Sequence, residues 1–225
     1  MTEQQKKDLF MKGRGMYFHA EKEDAVREVR ELFASLGDYM NSQDYVKKCD
    51  TILEFKLGNI VTYGSYKGKP LRWKILEVEA RRCLLFAEDV VDHKAYNTER
   101  TNMLWEICSL RQWLNHEFIN EAFTPQERMA ICAVERENPK NPKYSTQCGG
   151  PTNDKVTVFN DYEICEYLPN PEDRAIGKYY WLRTQGHGLL SSECVEPNGD
   201  IYPIGLNVAD EEVGVRPIIC VMVRK

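Results

Sequence analysis

The chain has 225 residues, of which 42% are hydrophobic and 29% charged, and its formal net charge is −5. This composition is typical of a soluble globular protein, and the length fits one large domain or one domain with an appendage. The acidic balance argues against a nucleic-acid partner, because phosphate recognition normally needs a basic face.

The sequence also argues against membrane attachment and against a fold that depends on a structural metal ion. It contains no run of about 20 apolar residues that would cross a bilayer, and its first residues lack the apolar core of a signal peptide. The eight cysteines lie at positions 49, 83, 108, 132, 148, 165, 194 and 220, without the tight spacing of structural zinc sites. We therefore predict a cytoplasmic protein with reduced cysteines, no membrane partner and no bound metal or other cofactor.

Residues 1–54 have the periodicity of helices. Apolar residues recur with a helical period over residues 25–36, and a glycine follows where a helix C-cap is expected. Asn41 or Ser42 is placed to cap the next helix. An earlier helical segment, residues 8–17, is weakened by two glycines. The sequence thus predicts an N-terminal helical hairpin preceded by a looser helix.

The same segment resembles one unit of a tetratricopeptide-type helical repeat. The pattern that carries this resemblance is Ala25-x3-Val29-x2-Leu32-Phe33-x2-Leu36-Gly37-Asp38-Tyr39-x2-Ser42, and no second copy is visible. A lone repeat cannot bury its own apolar face. We expect residues 1–54 to pack on the following domain, on a second copy of the chain in a homo-oligomer, or on a protein partner.

Residues 56–225 are predicted to form an α+β domain. Strand-like alternation over residues 60–63, 71–78 and 82–87 indicates a meander. Two helices follow, each with a predicted capping box. These boxes are Ser109 with Gln112, and Thr124 with Glu127. A loop rich in proline, asparagine and glycine then covers residues 135–153, and a loop this long is usually functional or mobile.

Antiparallel strands are predicted throughout residues 179–223. Asn198-Gly199, flanked by β-forming residues, is a strong hairpin signal because both residues tolerate a positive φ. The apolar run 218–223 is expected to be a central strand buried on both faces. Arg183 and Arg216 lie in or beside these strands, where an arginine needs carboxylate or carbonyl partners.

Several motifs in combination resemble an uncharacterised bacterial domain family. They are Gly58-x-x-Val61-x-Tyr63-Gly64-x-Tyr66, Trp73-Lys74-Ile75-Leu76, Ser109-Leu110-Arg111-x-Trp113-Leu114-Asn115, Asp154-Lys155-Val156, Trp181-Leu182-Arg183 and Val215-Arg216-Pro217. The family looks like a variant of the C-type-lectin fold, related to the formylglycine-generating enzymes and to phage and retroelement-diversified receptor-binding proteins. The resemblance covers residues 56–225 and implies a C-type-lectin-like core of antiparallel strands with two helices.

Two short features raise the question of a metal. Glu196-Pro197-Asn198 matches the tripeptide with which mannose-type lectins bind calcium, but one tripeptide supplies too few oxygens and coincides with the predicted turn. Cys194 and Cys220 lie in the part of the chain where formylglycine-generating enzymes hold copper. The sequence around the catalytic pair of those enzymes is missing here, so we interpret both cysteines as buried structural thiols.

Aromatic and basic residues are assigned mainly structural roles. Tryptophans in apolar periodic patterns are predicted to fill the core rather than to stack on sugars. They are Trp73, Trp113 and Trp181. Three arginines are predicted to form buried ion pairs, with residues such as Asp154 or Glu163, rather than to bind an anionic ligand. They are Arg111, Arg183 and Arg216.

A ligand site is predicted in surface loops. In lectin-like folds the loops that emerge after the Trp-Leu-Arg strand face the ligand, and His187 lies in a glycine-flanked loop at that place. The loops expected to choose the ligand are residues 138–153, 184–191 and 207–212. The side chains assigned to ligand binding are Arg183, Gln185, His187 and Asn207.

These observations predict recognition of a protein or carbohydrate ligand without catalysis, on a rigid lectin-like frame. Residues 1–54 would serve protein interaction or self-association. An alternative is a copper oxidoreductase of the formylglycine-generating type, which would bind copper(I) through Cys194 and Cys220. A third interpretation is a scaffold protein whose working surface is residues 1–54.

Overall fold

The computed structural model describes residues 1–20, 22–79 and 82–223. The chain is a mixed α+β protein, with helices at the N-terminus followed by antiparallel strands that curl around a common core. The helices are α1 (Glu3–His19), α2 (Glu23–Ser35), α3 (Ser42–Glu54), α4 (Ser109–Trp113), α5 (Ile119–Ala122), α6 (Pro125–Ala130), α7 (Asp161–Tyr167) and α8 (Pro171–Arg174). A single turn of π-helix, Leu114–Phe118, joins α4 to α5.

The strands form two main sheets and one short ribbon. They are β1 (Ile60–Tyr66), β2 (Lys69–Glu79), β3 (Arg82–Ala87), β4 (Asp92–His93), β5 (Ile131–Cys132), β6 (Val134–Arg136), β7 (Thr152–Asp154), β8 (Val156–Thr157), β9 (Tyr180–Gln185), β10 (Ser191–Val195), β11 (Ile201–Asn207), β12 (Gly214–Val215) and β13 (Ile218–Met222). The first sheet has the order β1-β2-β3-β13-β5, and β8 also pairs with β13. The second has the order β11-β10-β9-β12-β4, and β6 pairs with β7.

The strand predictions for the first sheet are largely confirmed. The meander of β1, β2 and β3 is present, and every pair in this sheet is antiparallel. β13 is a central strand, as the apolar run predicts, and Ile218, Ile219 and Val221 are buried. Cys220 is only half-buried, so the strand is not fully covered on both faces.

The N-terminal segment, residues 1–54, contains the three helices that the sequence predicts, and α1 is longer than the expected segment of residues 8–17. α1 runs for 17 residues and passes through Gly13. The missing side chain at this glycine lets α1 approach α2 closely, since an added Cβ would lie 2.6 Å from Leu32 Cδ2. The close helix approach that glycine permits offsets its poor helix propensity. The three helices share a hydrophobic cluster that includes Phe10 and Phe33 and draws only on this segment.

One of the two predicted capping boxes is present. Thr124 and Glu127 cap α6 reciprocally, with proline at the first helical position. The box of Ser109 with Gln112 is wrong, because Ser109 is already inside the helix and Cys108 is the N-cap of α4. Cys108 Sγ accepts a hydrogen bond from a backbone N–H, so sulfur here takes the place of the usual hydroxyl.

The predicted hairpin of β10 and β11 exists, with a longer connection than a two-residue turn. Val195 pairs with Ile201, which leaves the connection to residues 196–200. Gly199 adopts a φ of +91°, and Asn198 Oδ1 accepts a hydrogen bond from the Asp200 backbone N–H at 3.1 Å. The tripeptide considered for calcium binding is therefore part of this turn.

Gly64 provides a test of how tightly β1 is packed. It lies at an irregularity in the β1–β2 pairing, has a φ of +75°, and would place a Cβ 2.5 Å from Ala122 O. We expect Gly64→Ala to lower the free energy of unfolding by about 2–4 kcal/mol, through left-handed backbone strain and a steric clash. Urea denaturation measures this loss.

Gly58→Ala is the matched control for this substitution. Gly58 also has a positive φ, +82°, but an added Cβ would meet nothing within 4 Å. Only the backbone strain of about 1–2 kcal/mol is then expected. Equal losses at the two glycines would show that the contact with Ala122 is unimportant.

Candidate functional site

The three loops predicted to determine ligand specificity meet at one end of the second sheet. Ser191 at the start of β10 pairs with Asn207 at the end of β11. The β9–β10 loop and the loop after β11 therefore emerge side by side, and Val208 N donates to Leu190 O at 3.1 Å. Residues 138–153 pack against the same end. We call this surface, formed by residues 138–153, 184–191 and 207–212, the loop end.

Asn141 anchors the long loop to the sheet. Its side chain is 1% exposed, and Nδ2 lies within hydrogen-bonding distance of Gln185 O at 2.8 Å, Glu193 Oε1 at 2.7 Å and Pro203 O at 3.1 Å. Its Oδ1 accepts from two backbone N–H groups of its own loop, at 2.8 and 2.9 Å. A single buried amide thus connects the long loop to β9, β10 and β11.

A buried ion pair fixes the start of the same loop. Arg183 is 1% exposed and donates to both carboxylate oxygens of Glu163, at 2.5 and 2.7 Å. It also donates to Asn138 Oδ1 at 2.9 Å and to Val158 O at 2.7 Å. Burial alone would raise the pKa of Glu163, but the hydrogen bonds and charge of Arg183 outweigh it and the pKa is lowered.

The four side chains assigned to ligand binding divide into two interior and two exposed residues. The guanidinium of Arg183 is engaged inside the protein, and the amide of Gln185 is fully buried beside Tyr96 Oη, at 2.8 Å. His187 and Asn207 are exposed at the loop end. The ring of His187 packs edge-on against that of Tyr144, with centroids 6.2 Å apart. Direct ligand contact is therefore open to His187, Asn207 and Tyr144.

The residues predicted to be structural lie mostly in the core. Trp73 and Trp181 are fully buried. Arg111 pairs with the buried Asp154 at 2.7 Å. Arg216 has no carboxylate partner among the described residues.

Aromatic rings and a carbonyl group take the place of a carboxylate at Arg216. Its guanidinium lies 3.9 Å from the ring centroid of Phe86 and 5.1 Å from that of Tyr180. It also donates to Ala87 O at 2.8 Å. Cation–π contacts of this kind are strongest where the cation is desolvated, as it is here.

A cleft of about 510 Å³ opens next to the loop end. Its wall includes Leu110 and the half-buried Trp113, whose ring lies 4.7 Å from the Lys94 ammonium. Three exposed carboxylates complete it, and none has an ion-pair partner among the described residues. They are Glu117, Glu211 and Glu212. Trp113 is thus a cleft residue as well as a packing residue. The acidic run at residues 210–212, within a predicted loop, is the sequence signal that could have located the cleft.

Two buried acids lie beneath the loop end, and the sequence reasoning missed both. Burial raises the pKa of Glu193 to about 9, with a smaller contribution from Asp161. Burial likewise raises the pKa of Asp161 to about 6. Glu193 Oε2 and Asp161 Oδ1 find no hydrogen-bond partner among the described residues. The pair therefore titrates in two well-separated pH ranges and, near neutral pH, Glu193 is uncharged.

The two cysteines considered for copper belong to different sheets. Cys194 lies on β10 opposite Trp181, whereas Cys220 lies on β13 opposite Cys132. Burial raises the pKa of Cys194 to about 12 and that of Cys220 to about 11. Within the described ranges, no group of three or more histidine, cysteine, aspartate or glutamate side chains is arranged to hold a metal ion.

By its fold, the chain is a mixed α+β protein with helices at its N-terminus and a curled, mainly antiparallel sheet structure. Residues 80–223, more than half of the chain, match a family described as a domain of unknown function, DUF6273. The chain belongs to this family. Comparison with curated proteins and with solved structures gave no match. No helix in the described part of the chain is long and apolar enough to span a membrane.

Proposed function

We propose that this protein is a recognition module that binds a ligand at the loop end and in the adjacent cleft, on a C-type-lectin-like frame. The observation that carries the proposal is the convergence of three loops that buried polar side chains hold in place. Asn141 ties the long loop to three strands, and Arg183 holds its start through Asn138. Loops fixed in this way lose little conformational entropy on binding, which favours affinity.

The chemistry of the cleft favours a basic ligand. Three unpaired carboxylates outweigh the single ammonium of Lys94, and the half-buried Trp113 offers an apolar surface. An arginine or lysine side chain matches this combination, because its stem packs on apolar surface while its charge meets carboxylates. We therefore favour a protein segment with an exposed basic residue over a carbohydrate.

The N-terminal segment has a separate role in this proposal. Its three helices bury apolar side chains against one another in a hydrophobic cluster of their own, which supports a separately packed, tetratricopeptide-like unit. We propose that it contacts a protein partner or a second copy of the chain. The loop end would then be free to select the ligand.

Selection from a phage-displayed library of random peptides tests the proposal, and a glycan array tests the alternative of a carbohydrate ligand. We expect enriched peptides to carry arginine or lysine, and their affinity, measured by calorimetry, to fall as salt is added. Glu211→Gln with Glu212→Gln is expected to weaken binding about tenfold, because each partly exposed charge pair contributes about 0.5–1 kcal/mol.

The control is a double substitution with the same charge change elsewhere. Glu166 and Glu172 are exposed on α7 and α8, away from the cleft residues, and their replacement by glutamine should leave affinity unchanged. Glycan binding that is insensitive to the cleft substitutions would contradict the proposed ligand class. Equal effects of the two double variants would contradict the proposed site.

A further inference from the structure

Two half-buried cysteines face each other across a pair of neighbouring strands. Cys132 on β5 is the direct antiparallel partner of Cys220 on β13. Both are free thiols. They are 88 residues apart in sequence (220 − 132), so only the sheet register brings them together.

This placement satisfies the geometric requirement of a disulfide. Residues directly opposite each other in an antiparallel pair have Cα atoms about 4.5–5.5 Å apart, and disulfides span Cα separations of about 4.4–6.8 Å. The register therefore places the two Cα atoms within the range that a disulfide spans. The nearest competing thiol is that of Cys83 on β3, which is buried and lies opposite Val221 rather than Cys220.

An oxidant can reach this pair from solvent. Cys220 lines a groove of about 210 Å³ together with Arg82 and Arg136. Burial raises the pKa of Cys220 to about 11, and Cys132 adds to that rise, whereas the two guanidinium groups oppose it by favouring the thiolate. The reaction is therefore expected to be slow at neutral pH and to accelerate as the pH rises.

We propose that Cys132 and Cys220 are a redox modification site that forms a reversible cross-strand disulfide with a small-molecule disulfide as oxidant. One protein thiolate attacks a sulfur of oxidised glutathione, which forms a mixed disulfide and releases one glutathione thiolate. The second protein thiolate attacks the protein sulfur of that mixed disulfide and releases the second glutathione. Two protein thiols thus lose two protons and two electrons, and the glutathione disulfide is reduced to two thiols.

The bond would tie β5 to the central strand β13. It closes a covalent loop over residues 132–220, which contains all three segments of the loop end. A closed loop restricts the unfolded chain, so we expect oxidation to raise the melting temperature by about 5–15 °C. The site would thereby couple the redox state of the surroundings to the stability of the family domain.

The test oxidises the full-length protein with oxidised glutathione and then blocks the remaining thiols with an alkylating agent. Before alkylation, we expect the mass of the oxidised protein to be about 2 Da lower than that of the reduced protein, because two hydrogens are lost. After alkylation, a digest should contain one cross-linked peptide pair with Cys132 and Cys220. Dithiothreitol should reverse both the cross-link and the rise in melting temperature. These measurements need no variant, so a folding defect cannot obscure them.

Single substitutions identify the partners. Cys132→Ser and Cys220→Ser should each leave the remaining thiol unable to complete the exchange, so that the variant retains one glutathione instead of a cross-link. Cys165→Ser, which removes an exposed cysteine without a facing thiol, should cross-link like the unmodified protein. A cross-link between Cys83 and Cys220, oxidation confined to Cys165, or a folded protein that forms no intramolecular bond would each overturn the proposal.

Discussion

Glu163→Ala is expected to lower the free energy of unfolding by about 3–5 kcal/mol, because it leaves the buried guanidinium of Arg183 without a carboxylate. Arg183 is 1% exposed and donates two hydrogen bonds to Glu163, so its guanidinium loses its carboxylate partner at a buried position. Glu163 also completes the cap of α7 by accepting from the Asn160 backbone N–H. Urea denaturation at neutral pH measures the loss.

Glu79→Ala supplies the comparison, since it breaks an ion pair of similar length at the surface. Arg82 donates to Glu79 at 2.7 Å, but both side chains are about half exposed. An exposed pair of this kind contributes about 0–1 kcal/mol. If both substitutions cost the same, the burial of the Arg183–Glu163 pair would have no energetic consequence.

The pH dependence of the Glu163→Ala effect follows from the lowered pKa of Glu163. A carboxylate with a lowered pKa in the folded state contributes stability above its unfolded pKa, and this contribution is lost as the pH falls through the folded pKa. The difference between the unmodified protein and Glu163→Ala should therefore be largest near neutral pH. It should shrink below about pH 4.5, the ordinary value for a glutamate.

Local sequence patterns predicted much of the fold. Alternating apolar residues identified β1, β2 and β3, the Asn198-Gly199 signal identified the hairpin, and Thr124 with Glu127 identified the start of α6. Each of these features depends on residues close together in the chain. The full length of α1 could not be predicted in the same way, because the effect of Gly13 on helix stability depends on its contact with Leu32 in α2.

The candidate site was predicted only in part, because its key contacts join distant segments. The loops could be located from composition, and Glu163 could be named as a partner for a buried arginine. The amide of Asn141, in contrast, meets Glu193 across 52 residues, and no local pattern distinguishes it from the other asparagines of its loop. The pairing of Cys132 with Cys220 likewise depends on the order of strands in the first sheet.

Glu193→Gln is expected to flatten the dependence of stability on pH. Glu193 is fully buried, and burial raises its pKa from 4.5 to about 9. An acid with a raised pKa stabilises the folded state fully below its unfolded pKa, and this stabilisation is lost as the pH rises toward the folded pKa. The unmodified protein should therefore become less stable from about pH 4.5 to about pH 9.

Glutamine has nearly the same shape and does not titrate, so it removes this contribution. Between pH 4.5 and 7, the stability of the Glu193→Gln variant relative to the unmodified protein should rise by about 3 kcal/mol, since each pKa unit corresponds to about 1.4 kcal/mol. Urea denaturation across this range gives the slope of the unfolding free energy against pH for each protein. A constant change in stability from altered hydrogen bonding with Asn141 does not affect these slopes.

Asp161→Asn separates the contributions of the two buried acids. The pKa of Asp161 is raised only to about 6, so its substitution should change the slope between about pH 4 and 6 and leave the range above pH 7 unaffected. The Glu193→Gln effect should continue to about pH 9. Parallel stability curves for Glu193→Gln and the unmodified protein would mean that Glu193 is ionised in the folded state. A cation or ordered water that satisfies its second oxygen would then have to lie beneath the loop end.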